Sequence, residues 1–281
     1  MRKVGIVINS TKDTDGKAEQ FIISLLKELV KDIQLVIVKT PKTFNEAEIE
    51  NLEFVISFGG DGTILNTARE VSKYNIPILG MNLGNLGFLS SGEYHELKKC
   101  VINVLNGEYE IEDRLMLECT ANINNISKKY YTLNDVVISK GTLSRVLEYS
   151  IKIDEKFYTN FIADGIIIST PTGSTAYSLS AGGPIMYPTL DTVSITPICP
   201  LSLGIRTMVL KSSSKIHIDI KKKQQPAYLS LDGQIALELK NDDNISVTKA
   251  DMTCQLIRIK GYDYFEVLRK KIILRTKECK G

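Results

Sequence analysis

One pentad in the sequence, Gly59-Gly60-Asp61-Gly62-Thr63, encloses an acid among glycines and a hydroxyl. It follows the apolar run Phe54–Phe58 and precedes Ile64, Leu65, Ala68 and Val71, which recur at helical spacing. A strand that ends in glycines and opens into a helix presents backbone N–H groups and the positive end of the helix dipole, which together suit a phosphate. Glycine lacks Cβ, so the chain turns sharply there and approaches a ligand closely. Asp61 is the odd member, because a carboxylate repels phosphate unless a metal or a transferable proton lies between them. Gly59, Gly60, Gly62 and Thr63 are therefore candidate phosphate ligands, and Asp61 is a candidate proton acceptor. The alternative for Asp61 is a cap on the following helix, a role aspartate fills well.

A second glycine loop, Gly80-Met81-Asn82-Leu83-Gly84-Asn85-Leu86-Gly87-Phe88-Leu89, follows the run Ile76–Leu79. Turn-prone residues account for part of it, but Leu83, Leu86, Phe88 and Leu89 would be costly on an idle surface loop. A third stretch runs from Asp164-Gly165 through Ser169-Thr170-Pro171-Thr172-Gly173-Ser174-Thr175-Ala176-Tyr177-Ser178-Leu179-Ser180 to Gly182-Gly183. Its hydroxyls and N–H groups suit the polar edges of a base and a ribose, and Tyr177 adds a ring or an OH. A capped turn followed by a short helix ended at Gly182 is the other reading, and both can hold. Asn134-Asp135 sets an amide beside a carboxylate within Leu133–Ser139, a pair fit for ribose hydroxyls or, equally, for a surface turn. With His95 and His217 the only histidines, a His-based zinc site or a Ser-His-Asp triad is nearly excluded. His95 follows a glycine loop and is expected at the surface, and His217 alternates with isoleucines on the solvated face of a strand.

The elements that must position these loops are legible as periodicity. Val4–Asn9, Ile33–Val38, Phe54–Phe58 and Ile76–Leu79 read as buried strands. Lys17–Lys31, with Ala18, Phe21, Ile22, Leu25, Leu26 and Leu29 on one face, and Gly62–Tyr74 read as helices between them. Apolar strands alternating with helices predict a Rossmann-like α/β domain with a parallel sheet, whose ligands sit beyond the carboxyl ends of strands. From about Arg114 the period changes: Leu115–Asn122, Leu147–Lys156, Lys215–Lys221, Ala227–Leu239 and Ile245–Ile259 predict a mostly antiparallel all-β domain. Tyr262–Ile273 reads as a helix with Phe265, Leu268 and Ile272 on one stripe, returning to the first domain. The expected division is 1–98 with the C-terminal helix 262–281, and 99–261.

A chain of 281 residues is comfortable for two domains. A net charge of +2 gives no sign of a nucleic-acid or membrane-surface protein, and Lys221-Lys222-Lys223 reads as a solvated hairpin end. No apolar run approaches the ~20 residues that span a bilayer. Cys100, Cys119, Cys199, Cys254 and Cys279 are dispersed without a CxxC pair, which fits reduced thiols. The start MRKVGIVINS reads as a first strand rather than a leader, so a cytoplasmic protein is expected.

These strings together resemble the NAD kinase family along most of the chain. Gly59 to Thr63 is similar to its GGDGT, Gly80 to Leu89 to its GxNxGxLGFL, and Asn134-Asp135 to its Asn-Glu pair. Asp164-Gly165 with Ser169 to Tyr177 is similar to DGxxxSTPTGSTAY. Ser194-Ile195-Thr196-Pro197-Ile198-Cys199-Pro200 and Asp232-Gly233-Gln234 also fall where the family has like strings. The resemblance implies an N-terminal α/β domain, a C-terminal β domain, and a homodimer or homotetramer whose subunits help complete the site. It implies phosphoryl transfer from ATP to the adenosine ribose 2′-hydroxyl of NAD, giving NADP and ADP, with Mg²⁺ carried in on ATP and no dedicated metal cage. It makes Asp61 the catalytic carboxylate, and it lines the dinucleotide site with Asp61, Gly62, Asn82, Phe88, Asn134, Asp135, Asp164, Thr175, Ala176, Tyr177 and Ser180. Three departures bear on fine specificity: Asp135 is one methylene short of glutamate, Leu201 and Thr207 replace a histidine and a proline, and Leu231 replaces a valine. Lipid kinases and phosphofructokinases carry a similar GGDGT loop, so a kinase of another small or lipid substrate is one alternative. A non-catalytic dinucleotide sensor is another.

Overall fold

A computed structural model describes residues 1–84, 87–124, 126–141, 146–202, 204–221, 226–240 and 243–273, with residue 273 described in its backbone only. By its contacts the chain divides into Met1–Asp113 with Cys254–Gly281, and Arg114–Thr253.

The first unit opens with β1 (Arg2–Ile8), α1 (Lys17–Leu29), β2 (Ile33–Lys39), α2 (Glu46–Ile49), β3 (Phe54–Gly59) and α3 (Asp61–Val71). There follow β4 (Ile78–Asn82), the two-residue β5 (Gly92–Glu93) and α4 (Leu97–Leu105). β4, β3, β1 and β2 lie side by side in that order and are all parallel. All six residues of β3 are buried, which explains its unbroken apolar run. Val4, Ile6 and Ile8 of β1 share a core with Phe54, Ile56 and Phe58 of β3 and with Ile22, Leu25 and Leu26 of α1. Phe21, expected on the buried face of α1, is 42% exposed and meets Tyr94 edge-on. Ile64, Leu65, Ala68 and Val71 of α3 are buried as their spacing predicts. Within the β3–β4 register Gly59 stands opposite Asn82, so both glycine loops leave the same sheet edge side by side.

The chain enters the second unit along β6 (Tyr109–Ile123), continues through β7 (Ile126–Thr132), β8 (Asp135–Lys140), β9 (Leu147–Ile153), β10 (Lys156–Ala163) and β11 (Gly165–Ser169), and makes the short α5 (Tyr177–Ser180). It then forms β12 (Thr192–Ile198), β13 (Met208–Lys211), β14 (Ile216–Lys221), β15 (Ala227–Leu231) and β16 (Ile235–Leu239). β17 (Asn244–Ile259) returns it to the first unit, where Leu256 pairs in parallel with Ile78, and α6 (Tyr264–Leu268) follows. The order β13-β12-β11-β8-β15-β16 is antiparallel throughout. β10, β9, β14 and the first half of β17 form a second antiparallel layer. Leu147, Tyr149 and Ile151 of β9 pack in one core with Val136, Ile138, Ile166, Ile168, Leu229 and Leu231. Alternate burial along β9, β14 and β15 is the period-two signal read from the sequence.

Three details differ from the sequence reading, and part of it falls outside the described residues. Leu97, Cys100, Val101 and Val104 of α4 lie in the first unit's core, so that unit runs to Asp113 where the sequence reading stopped at residue 98. Ala227–Leu239 is two strands, because Asp232 and Gly233 take positive φ (51° and 65°) and turn the chain between them. α6 buries Tyr264 and Val267, while Phe265 of the expected stripe is 55% exposed. Residues 274–281 of the expected helix, and Lys222 and Lys223, lie outside the described residues.

His95 is exposed beside Glu93, and His217 is half-buried with Nε2 3.0 Å from Glu155. Cys100, Cys119 and Cys254 are buried and Cys199 exposed, none of them in a disulfide; Cys279 lies outside the described residues. Among the described residues no helix is long and apolar enough to cross a membrane.

Candidate active site

The GGDGT loop is built by the step from β3 to α3. Gly60 occupies the capping position with extended backbone, and Asp61 is the first helical residue. The carboxylate of Asp61 is not used on its own helix. Its oxygens accept the Phe88 N–H at 3.0 Å and the Leu89 N–H at 3.2 Å, both from the second glycine loop. The helix-cap alternative therefore fails: a glycine holds that position, and the half-buried acid is turned toward another loop. Gly87 makes the approach possible, since a Cβ there would lie 2.0 Å from Asp61 Oδ1.

The other residues of the pentad divide by role. A Cβ on Gly59 would lie 2.1 Å from Thr63 Oγ1, and that hydroxyl, buried, accepts from Asn9 Nδ2 at 3.2 Å. The Thr63 N–H bonds to the Gly60 carbonyl at 2.9 Å. Thr63 is thus placed to brace the loop, whereas Gly60 is half-buried and Gly62 is exposed. Lys12, in the loop after β1, brings Nζ within 2.8 Å of where a Gly60 Cβ would stand. That exposed ammonium was not singled out from the sequence; its only signal there is a position just past the carboxyl end of a buried strand. Asn82 is buried, and its Oδ1 accepts from the Gly84 N–H at 2.9 Å, so it shapes the loop that carries the half-buried Phe88.

The second unit gathers another set. Thr170 N–H donates to the Asn134 carbonyl at 2.9 Å, its Oγ1 donates to the Leu133 carbonyl at 2.6 Å, and Ser169 Oγ donates to Asn134 at 3.3 Å. A Cβ on Gly173 would lie 2.1 Å from the Asn134 carbonyl oxygen, so the hydroxyl-rich segment is pressed against Leu133–Asn134. From another side the Asp232 carboxylate accepts the N–H groups of Leu133 (3.2 Å), Asn134 (2.8 Å) and Asp135 (3.2 Å). Sequence reasoning noted Asp232 only within a string. Asp135 is buried, and desolvation first, then the Asp232 charge, pushes its carboxyl up to about 7.

Much of the hydroxyl content of 169–183 serves the fold. Ser174 Oγ donates to the Pro171 carbonyl at 2.6 Å and accepts from Met186 N–H at 3.0 Å, and Ser178 bonds Thr196 at 3.2 Å. Thr175 and Ala176 are left half-buried, and Tyr177 and Ser180 exposed, on the α5 turn that Gly182 ends with φ 85°. Asp164 is not brought to this group. It precedes Gly165, which pairs with Ser139, whereas Asp135 pairs with Ser169 at the far end of β11, roughly 15 Å along the strands. Asp164 forms a 2.9 Å ion pair with Lys140 instead. Among the described residues no group of three or more His, Cys, Asp or Glu could hold a metal ion.

Residues 4–109 match the family model of the ATP-NAD kinase N-terminal domain and residues 133–259 that of the ATP-NAD kinase C-terminal domain. A NAD kinase of Clostridium botulinum is 45% identical over 283 residues, covering 100% of both chains. The chain belongs to the NAD kinase family. A NAD kinase of Clostridium tetani is 43% identical over 98% of this chain and 100% of that one. Among solved structures, yeast NADH kinase complexed with NADH has a TM-score of 0.86 at 27% identity, covering 97% of this chain and 87% of that one. An NAD kinase from Archaeoglobus fulgidus in complex with ATP has a TM-score of 0.75 at 25% identity, covering 96% and 98%. The NAD kinase fold, an α/β first domain and an antiparallel β second domain, is the class that the periodicity predicted.

Proposed function

We propose that this protein is an ATP-dependent NAD kinase, which transfers the γ-phosphoryl group of ATP to the 2′-hydroxyl of the adenosine ribose of NAD and releases NADP and ADP. The observation that carries the reading is Asp61, a carboxylate at the start of a helix beside a glycine loop, aimed by two backbone N–H groups rather than used as a cap. Asp61 accepts the ribose hydroxyl proton as the oxygen bonds to the γ-phosphorus and the bond to ADP breaks. A positioned proton acceptor of this kind is worth about 10²–10⁴-fold in rate.

Gly59, Gly60 and Gly62 let the donor phosphates approach the backbone, and the Lys12 ammonium adds a positive charge over Gly60. Thr63 supports them from beneath. Asn82, Phe88, Asn134, Asp135, Thr175, Ala176, Tyr177 and Ser180 hold the dinucleotide. Mg²⁺ would arrive on ATP, and because it keeps several waters and needs only one or two carboxylates beside phosphates, no dedicated protein cage is required. When bound, it neutralises charge on the transferring group. Asp164 lies far from Asn134 within one chain, so it serves the site from a second copy in a homodimer or homotetramer, which light scattering would size. Buried thiols at Cys100, Cys119 and Cys254 fit a reducing, cytoplasmic setting.

The test is to incubate the pure protein with ATP, Mg²⁺ and NAD and to detect product with a dehydrogenase that accepts only NADP. NADP formation is the expected result. NAD binding without NADP would favour a non-catalytic sensor, and neither binding nor product would favour a kinase of another small or lipid substrate.

A further inference from the structure

The loop that aims Asp61 is itself wound around one buried cation. Arg258, near the end of β17, is 4% exposed. Its Nη1 donates to the carbonyls of Leu89 and Ser90, each at 3.1 Å, and to Ser91 Oγ at 3.4 Å, while Nη2 reaches the Phe88 carbonyl at 3.5 Å. Its Nε pairs with Glu112 at 2.7 Å, and the guanidinium lies 4.1 Å from the Tyr262 ring centroid. A planar guanidinium offers its donors in a fixed fork, so three successive carbonyls are held at set angles.

The connection to Asp61 runs through one peptide group. The carbonyl of Phe88 and the N–H of Leu89 belong to the same peptide, with Arg258 on the oxygen and Asp61 on the hydrogen. The next carbonyl, that of Leu89, is also taken by Arg258. A cation on the carbonyl side polarises the peptide and strengthens donation from its N–H. It also fixes the plane of the peptide and so the direction of that N–H. Without the guanidinium, buried carbonyls would lose their donor and turn toward other partners, taking the N–H vectors with them.

We infer that Arg258 is a positioning residue for the phosphoryl transfer: it holds the 88–91 loop so that two N–H groups keep the Asp61 carboxylate aimed at the acceptor hydroxyl. The inference rests on the kinase reading. Arg258 touches neither substrate nor the reacting atoms in this scheme, so its loss acts on turnover rather than on binding.

The experiment measures NADP formation by wild type, Asp61→Asn, Arg258→Ala and the double variant, well below each melting temperature. Arg258→Ala is expected to lower kcat about 10²-fold, the usual effect of misplacing a catalytic group by about 1 Å, with KM for ATP and NAD little changed. Added guanidinium should restore part of kcat. The double variant should turn over no more slowly than Asp61→Asn alone, because Arg258 acts through Asp61. If Arg258→Ala does not fold, Arg258→Lys carries the same tests, since it keeps the charge and loses the fork. Wild-type kcat in the folded variant with only a lowered melting temperature, or losses that multiply in the double variant, would overturn the inference while leaving the kinase reading intact. A wild type that makes no NADP overturns both.

Discussion

Gly87→Ala tests whether the aim of Asp61 matters to the chemistry. A Cβ on Gly87 would stand 2.0 Å from Asp61 Oδ1, 2.6 Å from its Cγ and 2.9 Å from Oδ2. Non-bonded carbon contacts settle near ~3.5 Å, so carboxylate and loop must part by about 1.5 Å. Parting the groups breaks or lengthens the bonds from Phe88 and Leu89 N–H. Overpacking of this kind destabilises by about 1–3 kcal/mol. The kinetic effect should be larger than the stability effect implies. A catalytic group displaced by about 1 Å loses about 10²-fold in rate, equivalent to about 2.7 kcal/mol of barrier.

The assay is kcat for NADP formation beside a thermal melt of the same preparation, with Gly84→Ala as the comparison. Among the described residues a Cβ on Gly84 meets only Asn82 Oδ1, at an ordinary 3.8 Å, so that variant should turn over on the order of wild type. A folded Gly87→Ala protein with wild-type turnover would refute the assignment of Asp61 as an oriented proton acceptor, because the acid would then have moved without consequence.

Asp61→Asn should lower turnover by roughly 10²–10⁴ while the protein stays folded, since an amide retains one acceptor for the two N–H groups; retained turnover would remove Asp61 from the chemistry. Lys12→Ala should lower kcat/KM for ATP about tenfold or more, as expected for a charge-assisted hydrogen bond of about 1.5–3 kcal/mol, and a change confined to NAD would place Lys12 off the donor phosphates. Asp135 gives a pH signature. Its folded-state pKa is raised to about 7 from 3.8, so the stability it contributes as a neutral acid is complete below about 3.8 and is lost as pH rises through about 7. Asp135→Asn should therefore gain melting temperature relative to wild type as pH is raised across that window, and parallel melting curves would show that Asp135 does not titrate there.

The strands and both glycine loops were legible because a buried parallel strand is an unbroken apolar run and a strand end is marked by glycine, as at Phe54–Gly59. What was not legible depends on contacts distant in sequence. Arg258 lies 169 residues beyond Leu89, in a β run where its neighbours Leu256, Ile257 and Ile259 carry the pattern. Asp232 was hidden for a related reason: the run Ala227–Leu239 looks continuous until the positive φ at Asp232 and Gly233 divides it. Lys12 sits in a loop without periodicity, and only the fold brings it over Gly60. The apolar stripe on α6 was misread because Phe265 and Tyr264 are both large aromatics, and spacing alone does not say which of them faces inward.

Asp61 shows why residue type alone could not separate a cap from a catalyst. Aspartate at a helix start serves either role, and the decision lies with its neighbours: Gly60 takes the capping position, and Gly87 leaves room for the second loop. The donors that hold it are backbone N–H groups, and that choice has a chemical consequence. A histidine or protonated acid in their place could exchange a proton with the carboxylate and compete for the one it must receive. A peptide N–H cannot give up its proton under these conditions, so it orients the acid and leaves its basic capacity intact. In the proposed reaction Lys12, near the same glycines, would offset the repulsion between that carboxylate and the arriving phosphates, so losing the ammonium should weaken ATP selectively and leave NAD binding unchanged.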